Sequence, residues 1–186
     1  MNTIGFDDAP FPREHRGDVM VVGVVCAGTR ADGIVTTRVR RDGANATDRL
    51  ASVVANTGFR RHLHAILLQG IAVGGFNVID VHRLSEAVEL PVLVVVRRKP
   101  RFHLIEAALT DPGSPVRGGA AKWALIQRAG EVEPLGHVFA QRVNLDKNQA
   151  LRILEGTILH GHIPEPLRLA HLIAGGVTTG RSRGRT

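Results

Sequence analysis

Ala65-Ile66-Leu67-Leu68-Gln69-Gly70 is the stretch from which the fold of this chain can be read. Four consecutive apolar residues closed by Gln-Gly describe a strand buried on both faces, with a loop at its carboxyl end. On its C-terminal side, Val78 to Val88 has helical character, and Leu90 to Val96 is a second apolar, β-branched run closed by Arg97-Arg98-Lys99-Pro100. Strand, helix, strand is the pattern of a right-handed parallel crossover. On the N-terminal side, Asn45-Ala46-Thr47-Asp48 opens a helix with Leu50, Val53 and Val54 on one face and a stop near Gly58. Before it, Val19 to Cys26 and Gly33 to Arg40 are joined by the polar turn Ala27 to Asp32 and read as an antiparallel hairpin. Thr3 to Asp8 reads as a further strand, interrupted by Pro10 and Pro12.

Beyond residue 100 the signals are weaker. Leu104 to Leu109 is a short helical segment, and Asp111 to Gly119 a surface loop. Ala120 to Gln141 carries no clear period. Gln149 to Leu159 and Glu165 to Ala174 are amphipathic helices, the second with Pro166 in its first turn. Gly175-Gly176 supplies a stop, and the basic, anchor-free segment 177–186 is expected to be a mobile tail. The order βββαβαβ, followed by helices, predicts an α/β domain over residues 1–176 with a mixed sheet flanked by helices. The absence of a fixed repeat argues against a solenoid or coiled coil.

A length of 186 residues suits one domain with a real core, and 44% hydrophobic content is normal for a folded protein. The formal charge is +7, from 24 Lys+Arg against 17 Asp+Glu, which makes a polyanion the first partner to test. A lone cysteine, Cys26, excludes an intrachain disulfide and a cysteine metal cage. The N-terminal segment lacks the pattern of a signal peptide, and no apolar stretch reaches the roughly 18 residues of a membrane span, so a cytoplasmic protein is expected.

Asp7 and Asp8 end the first strand, where alternation presents one carboxylate to a polar cleft and turns the other toward solvent or a backbone donor; read alone, they are turn residues before Pro10. Asp42 likewise reads as a turn aspartate before Gly43, or as an acid at the sheet edge. The glycine-rich segment from Gly70 to Asp80, with Gly74, Gly75 and Asn77, permits close approach of a phosphate backbone. It lacks the spacing of a P-loop or a dinucleotide fingerprint, which excludes ATPase and dehydrogenase readings and a nucleotide cofactor. Arg97 to Arg101 concentrates positive charge where a strand meets solvent, suited to phosphate contacts. Glu165, Arg168 and His171 recur every three residues on the last helix, either bordering the same cleft or forming surface ion pairs. No zinc-protease motif or nucleophile elbow occurs, and the few aromatics lack the pattern of a base-stacking sheet.

Taken together in order, several strings resemble the endonuclease dU family, related in fold to endonuclease V. They are Gly5-Phe6-Asp7-Asp8-Ala9-Pro10-Phe11, Val21-Val22-Gly23-Val24-Val25, Asp42-Gly43-Ala44-Asn45-Ala46-Thr47, Gly70 to Asp80, Pro91 to Pro100, and Ile163 to Ala174. The resemblance implies a ribonuclease H-like fold and cleavage of DNA at or near deoxyuridine, with Mg2+ or Mn2+ as cofactor. It makes Asp7, Asp8 and Asp42 candidate metal ligands and Glu165 and His171 candidates for positioning water or the leaving group. Gly74, Gly75, Asn77, Arg98, Lys99 and Arg168 become candidate substrate contacts. The fourth strand of such a fold is expected to end in an acid where this chain has Gln69, a neutral side chain that cannot supply the anionic charge. Either Asp80 approaches the metal in compensation, or the chemistry relies on Asp7, Asp8 and Asp42. The competing expectation is a catalytically impaired nucleic-acid-binding protein.

Overall fold

The strand at Thr3–Asp8 and the apolar run at 65–68 meet as parallel neighbours in the computed structural model, which describes residues 1–182. In chain order the elements begin with β1 (Asn2–Asp8), β2 (Asp18–Ala27), β3 (Arg30–Arg40) and α1 (Ala46–Asn56). There follow β4 (Ala65–Gln69), β5 (Ala72–Val73), β6 (Asn77–Val78), α2 (Val81–Val88) and β7 (Val92–Val96). The remainder comprises α3 (Phe102–Thr110), α4 (Gly119–Arg128), β8 (Glu133–Leu135), β9 (Val138–Val143), α5 (Lys147–Thr157) and α6 (Glu165–Thr179). The main sheet has seven strands in the order β3-β2-β1-β4-β7-β9-β8, and β5 and β6 form a separate small hairpin. β1, β4 and β7 run parallel, so their carboxyl ends share one edge. β2, β3, β8 and β9 pair antiparallel with their neighbours.

Helices cover both faces of the central strands, which explains why β4 and β7 read as unbroken apolar runs. Ile4, Phe6, Ile66 and Leu68 pack with Leu50 and Val54 of α1 and Leu84 of α2. On the other face, Leu67 and Leu93 pack with Ile153 and Leu154 of α5 and Leu167 of α6, while Ala170 and Ala174 of α6 lie on Val22, Val24 and Cys26. Full burial of side chains such as Phe6 and Leu68 stabilises the fold by about 1.5–3 kcal/mol each. At Gly5 the helix comes so close that a Cβ would stand 2.6 Å from the carbonyl carbon of Pro166.

Three expectations are corrected. The helix read from Val78 begins at Val81, because Asn77–Val78 pairs with Ala72–Val73 and Asp80 caps the helix by accepting from the Arg83 amide. The unassigned segment 120–141 holds most of α4, all of β8 and the start of β9. β8 has only three residues, including Pro134, and β9 carries Gln141 and Arg142, so neither offered a β period to read. Gly175-Gly176 does not stop the last helix, which runs to Thr179 and ends at Gly180 with φ 72°. Burial of Ala170 and Ala174 holds it down, and Thr179 Oγ1 donates to Gly175 O. The helix thus runs past residue 177, the expected start of the basic tail; 183–186 lie outside the described residues.

Candidate active site at the carboxyl edge of the sheet

Alternation along β1 sends its two terminal carboxylates to opposite faces. Asp7 points, as Gly5 does, toward α6, where its Oδ2 lies 2.8 Å from His171 Nδ1 and its Oδ1 accepts from the Asp8 amide at 3.0 Å. It is 6% exposed, and its pKa is raised from the usual 3.8 to about 6, first by burial and then by the charge of Asp8, against the bond to His171. The His171 side chain is about half exposed, so its other ring nitrogen is free to meet a substrate or water. Asp8 faces the opposite way and accepts from the Gly74 amide at 2.8 Å; burial raises its pKa too, opposed by that bond.

Gln69 completes this group. Phe6 pairs with Leu68, so carrying the register one residue further sets Gln69 beside Asp7 on the same face, about 4.8 Å away across the strands. Its Oε1 is buried and has no hydrogen-bond partner. On the strand beside Asp7 the fold thus presents a buried amide oxygen that accepts no bond from the protein.

The four-carboxylate set Asp7, Asp8, Asp42 and Asp80 does not assemble; among the described residues no three His, Cys, Asp or Glu side chains are grouped to hold a metal ion. Asp42, at φ 49°, turns its carboxylate into the glycine-rich loop, where Oδ1 accepts from the Phe76 amide at 2.8 Å and Oδ2 lies 3.1 Å from Arg41 Nε. Gly75 is needed here, because a Cβ on it would fall 2.4 Å from that Oδ1. Asp80 caps α2 and pairs with Arg128; burial opposes its charge, but the bonds from Arg128 and the Arg83 amide prevail and hold its pKa below the usual range.

Of the expected substrate contacts, Asn77 is fully buried and structural: it donates to Arg40 O and Asn45 Oδ1 and accepts from the Ala46 amide. Gly74 is buried and serves Asp8, whereas Gly75 is exposed. Arg98 and Lys99 are exposed just past β7, on the same edge as Asp7 and Gln69. Arg168 makes two 2.7 Å bonds to Glu165, which is 3% exposed; that pair braces the start of α6, and His171 alone of the three meets Asp7. Two residues escaped the sequence reading. Arg41 donates to Arg13 O and His15 O, tying down the loop after Asp8. Lys122, 5% exposed on α4, donates to Asp42 O. A lysine within a weakly amphipathic helix gives no signal that it is buried.

The seven-stranded mixed sheet and its flanking helices define a mixed α/β protein with a fold like that of endonuclease V. The structure resembles endonuclease V from Bacillus subtilis with a TM-score of 0.61 at 13% identity, covering 96% of this chain and 81% of that one. It also resembles endonuclease V of Ciona intestinalis, solved with a DNA containing an inosine followed by a ribo-adenosine, at a TM-score of 0.55 and 13% identity, covering 91% and 82%. A protein of unknown function from Archaeoglobus fulgidus matches more fully, with a TM-score of 0.87 and 31% identity over 95% of this chain and 97% of that one.

This chain belongs to the endonuclease dU family, whose model matches residues 1–178. It is 53% identical over 184 residues to a UPF0215 protein of Deinococcus radiodurans, spanning 99% of this chain and 92% of that one. To a UPF0215 protein of Methanothermobacter thermautotrophicus it is 42% identical over 185 residues, spanning 97% and 89%. Among the described residues no helix is long and apolar enough to cross a membrane.

Proposed function

We propose that this protein is an endonuclease that cleaves DNA at or near deoxyuridine or a related damaged base. The observation that carries the reading is the buried Asp7, bonded to a half-exposed His171 and flanked by the unpartnered oxygen of Gln69, at the edge where Arg98 and Lys99 emerge. Family membership and the endonuclease V-like fold support a nuclease.

The donors fit a hard divalent cation, Mg2+ or Mn2+, in kind: Asp7 offers an anionic oxygen and Gln69 a neutral one that nothing else uses. When bound there, such an ion would supply charge neutralisation at the phosphate and a more acidic water. Asp7 orients His171 through Nδ1, which leaves the opposite ring nitrogen to hold or move a proton at an attacking water or leaving oxygen. Arg98 and Lys99 hold phosphates of the bound strand, and each lost cation is expected to lower the salt slope of binding by about one. Comparing Arg98→Ala and Lys99→Ala with the native chain across a salt series checks this.

The test is cleavage of matched oligonucleotides, with and without one deoxyuridine, in Mg2+ or Mn2+ and after chelation. Metal-dependent cutting confined to the deoxyuridine strand supports the proposal. The neutral Gln69 motivates a second reading, a DNA-binding protein that has lost turnover. Gln69→Glu, which keeps the side-chain length and adds the charge, separates the two. Salt-sensitive binding with no cutting by the native chain, and cutting gained in Gln69→Glu, would establish the binder. If native and variant chains both fail to cut or to bind DNA, the nuclease reading is wrong.

A further inference from the structure

On the Asp8 side, the glycine-rich turn that meets the acidic edge is tied to α4 through one peptide, that of Asp42. Its N–H donates to Gly74 O at 2.9 Å, its side chain accepts from Phe76 N at 2.8 Å, and its carbonyl accepts from Lys122 Nζ at 2.5 Å. Gly74 in turn donates to Asp8 Oδ2, next to Asp7. Asp42 holds this position in a left-handed backbone conformation, φ 49°, which is strained for a non-glycine residue and persists only where surroundings over-determine it.

Lys122 is the group whose presence there is hardest to explain by packing alone. Lys122 as a residue is 5% exposed, and its Nζ, in a part-buried setting, makes its described bond to a single carbonyl oxygen, which repays the partial loss of water around the charge only in part. Burial pulls its pKa down and the nearby Asp42 charge pulls it up. An apolar residue of the same length would fill the space without that penalty.

We infer that Lys122 is a positioning residue for the carboxyl-edge site, acting through the Asp42 peptide to fix the 74–76 turn and, through Gly74 N, the orientation of Asp8 beside Asp7. α4 lies after β7 in sequence and packs on β6, so this link fastens the turn to a part of the chain that contributes nothing else to the acid group. Lys122 does not touch the reacting atoms. Its removal acts on the geometry of the turn rather than on the affinity for DNA, which the exposed basic loop supplies.

The inference rests on the proposed function for its kinetic arm only. Lys122→Met keeps the stem and removes the donor. With the deoxyuridine oligonucleotide, kcat is expected to fall about 10-fold or more while KM stays within about 2-fold, and Lys122→Arg, which retains donors, is expected to recover part of kcat. Amide hydrogen exchange gives the second arm and needs no activity. Gly74 and Phe76 N–H groups should exchange about 10-fold faster in Lys122→Met, with β4 and α2 unchanged. In the unaltered protein under increasing denaturant, those two amides should open together with α4. An unchanged kcat in an active enzyme, equal acceleration of all amides, or opening of 74–76 independently of α4 each overturns the inference. An inactive native chain that still shows the exchange coupling would refute the nuclease proposal and leave the positioning role standing.

Discussion

Asp7→Asn is expected to abolish cleavage, by at least about 100-fold in kcat, and at the same time to make the protein more stable at pH 8. The first effect follows from the loss of the anionic oxygen next to Gln69 and of the charge that orients His171. The second follows from where that charge sits. In the unfolded chain the carboxyl ionises near 3.8, and in the folded protein near 6. Between these values the unfolded state has released a proton that the folded state retains, so folding stability declines as pH rises from about 4 to about 6 and is level above that. The full difference corresponds to about 3 kcal/mol. Asparagine removes it, together with the repulsion from Asp8, but has one acceptor for the two donors that Asp7 now serves, which returns about 1 kcal/mol. A net gain of about 1–2 kcal/mol at pH 8, absent or reversed at pH 4, is the expected result of denaturant titrations of both proteins. A variant less stable than the native chain at pH 8 would show that Asp7 is held by more favourable interactions than burial removes.

The second large effect concerns Gly5, one strand position from the core-facing Phe6. A methyl group there would lie 2.6 Å from Pro166 C, 2.7 Å from Pro166 Cβ and 2.8 Å from Leu167 N. Two of those three atoms are backbone, so no rotamer change relieves the clash, and α6 as a whole has to lift off β1. Gly5→Ala is expected to cost about 3 kcal/mol or more, which for a chain of this size lowers Tm by roughly 6–12 °C. The displaced helix carries His171 away from Asp7, so activity should fall further than the folded fraction alone explains. Gly176→Ala is the control: that glycine is in the same helix with nothing within 4 Å of the added carbon, and it should be neutral or stabilising by up to about 1 kcal/mol. Thermal melts of the two variants side by side decide the matter.

Much of this architecture is legible in the sequence because β2, β4 and β7 are dense in β-branched and apolar residues and largely buried, β1 is likewise buried, and β3 alternates partly covered with exposed positions. Asp7 and Asp8 were legible for the same reason, as acids at the end of such a run. What their alternation meant for each acid depended on which neighbour waits on each face, and that is set by α6 on one side and the Gly74 turn on the other. Asn77 and Asp80 look like site residues in a linear string, yet both are consumed by local structure, one bridging Arg40 and Ala46, the other capping α2. Lys122 could not be found at all from spacing, since its partner is a backbone oxygen eighty residues away.

The partners in the Asp7–His171 bond stand 164 positions apart in the chain. His171 is therefore made long after Asp7. A growing chain can pair β1 with β2 and β3 early, but it has no imidazole to set against Asp7 until α6 has been made and has settled over Gly5. Assembly of the proposed centre is thus coupled to the docking of α6 on β1, and anything that loosens that one contact separates the two halves of the pair while the rest of the sheet stays paired.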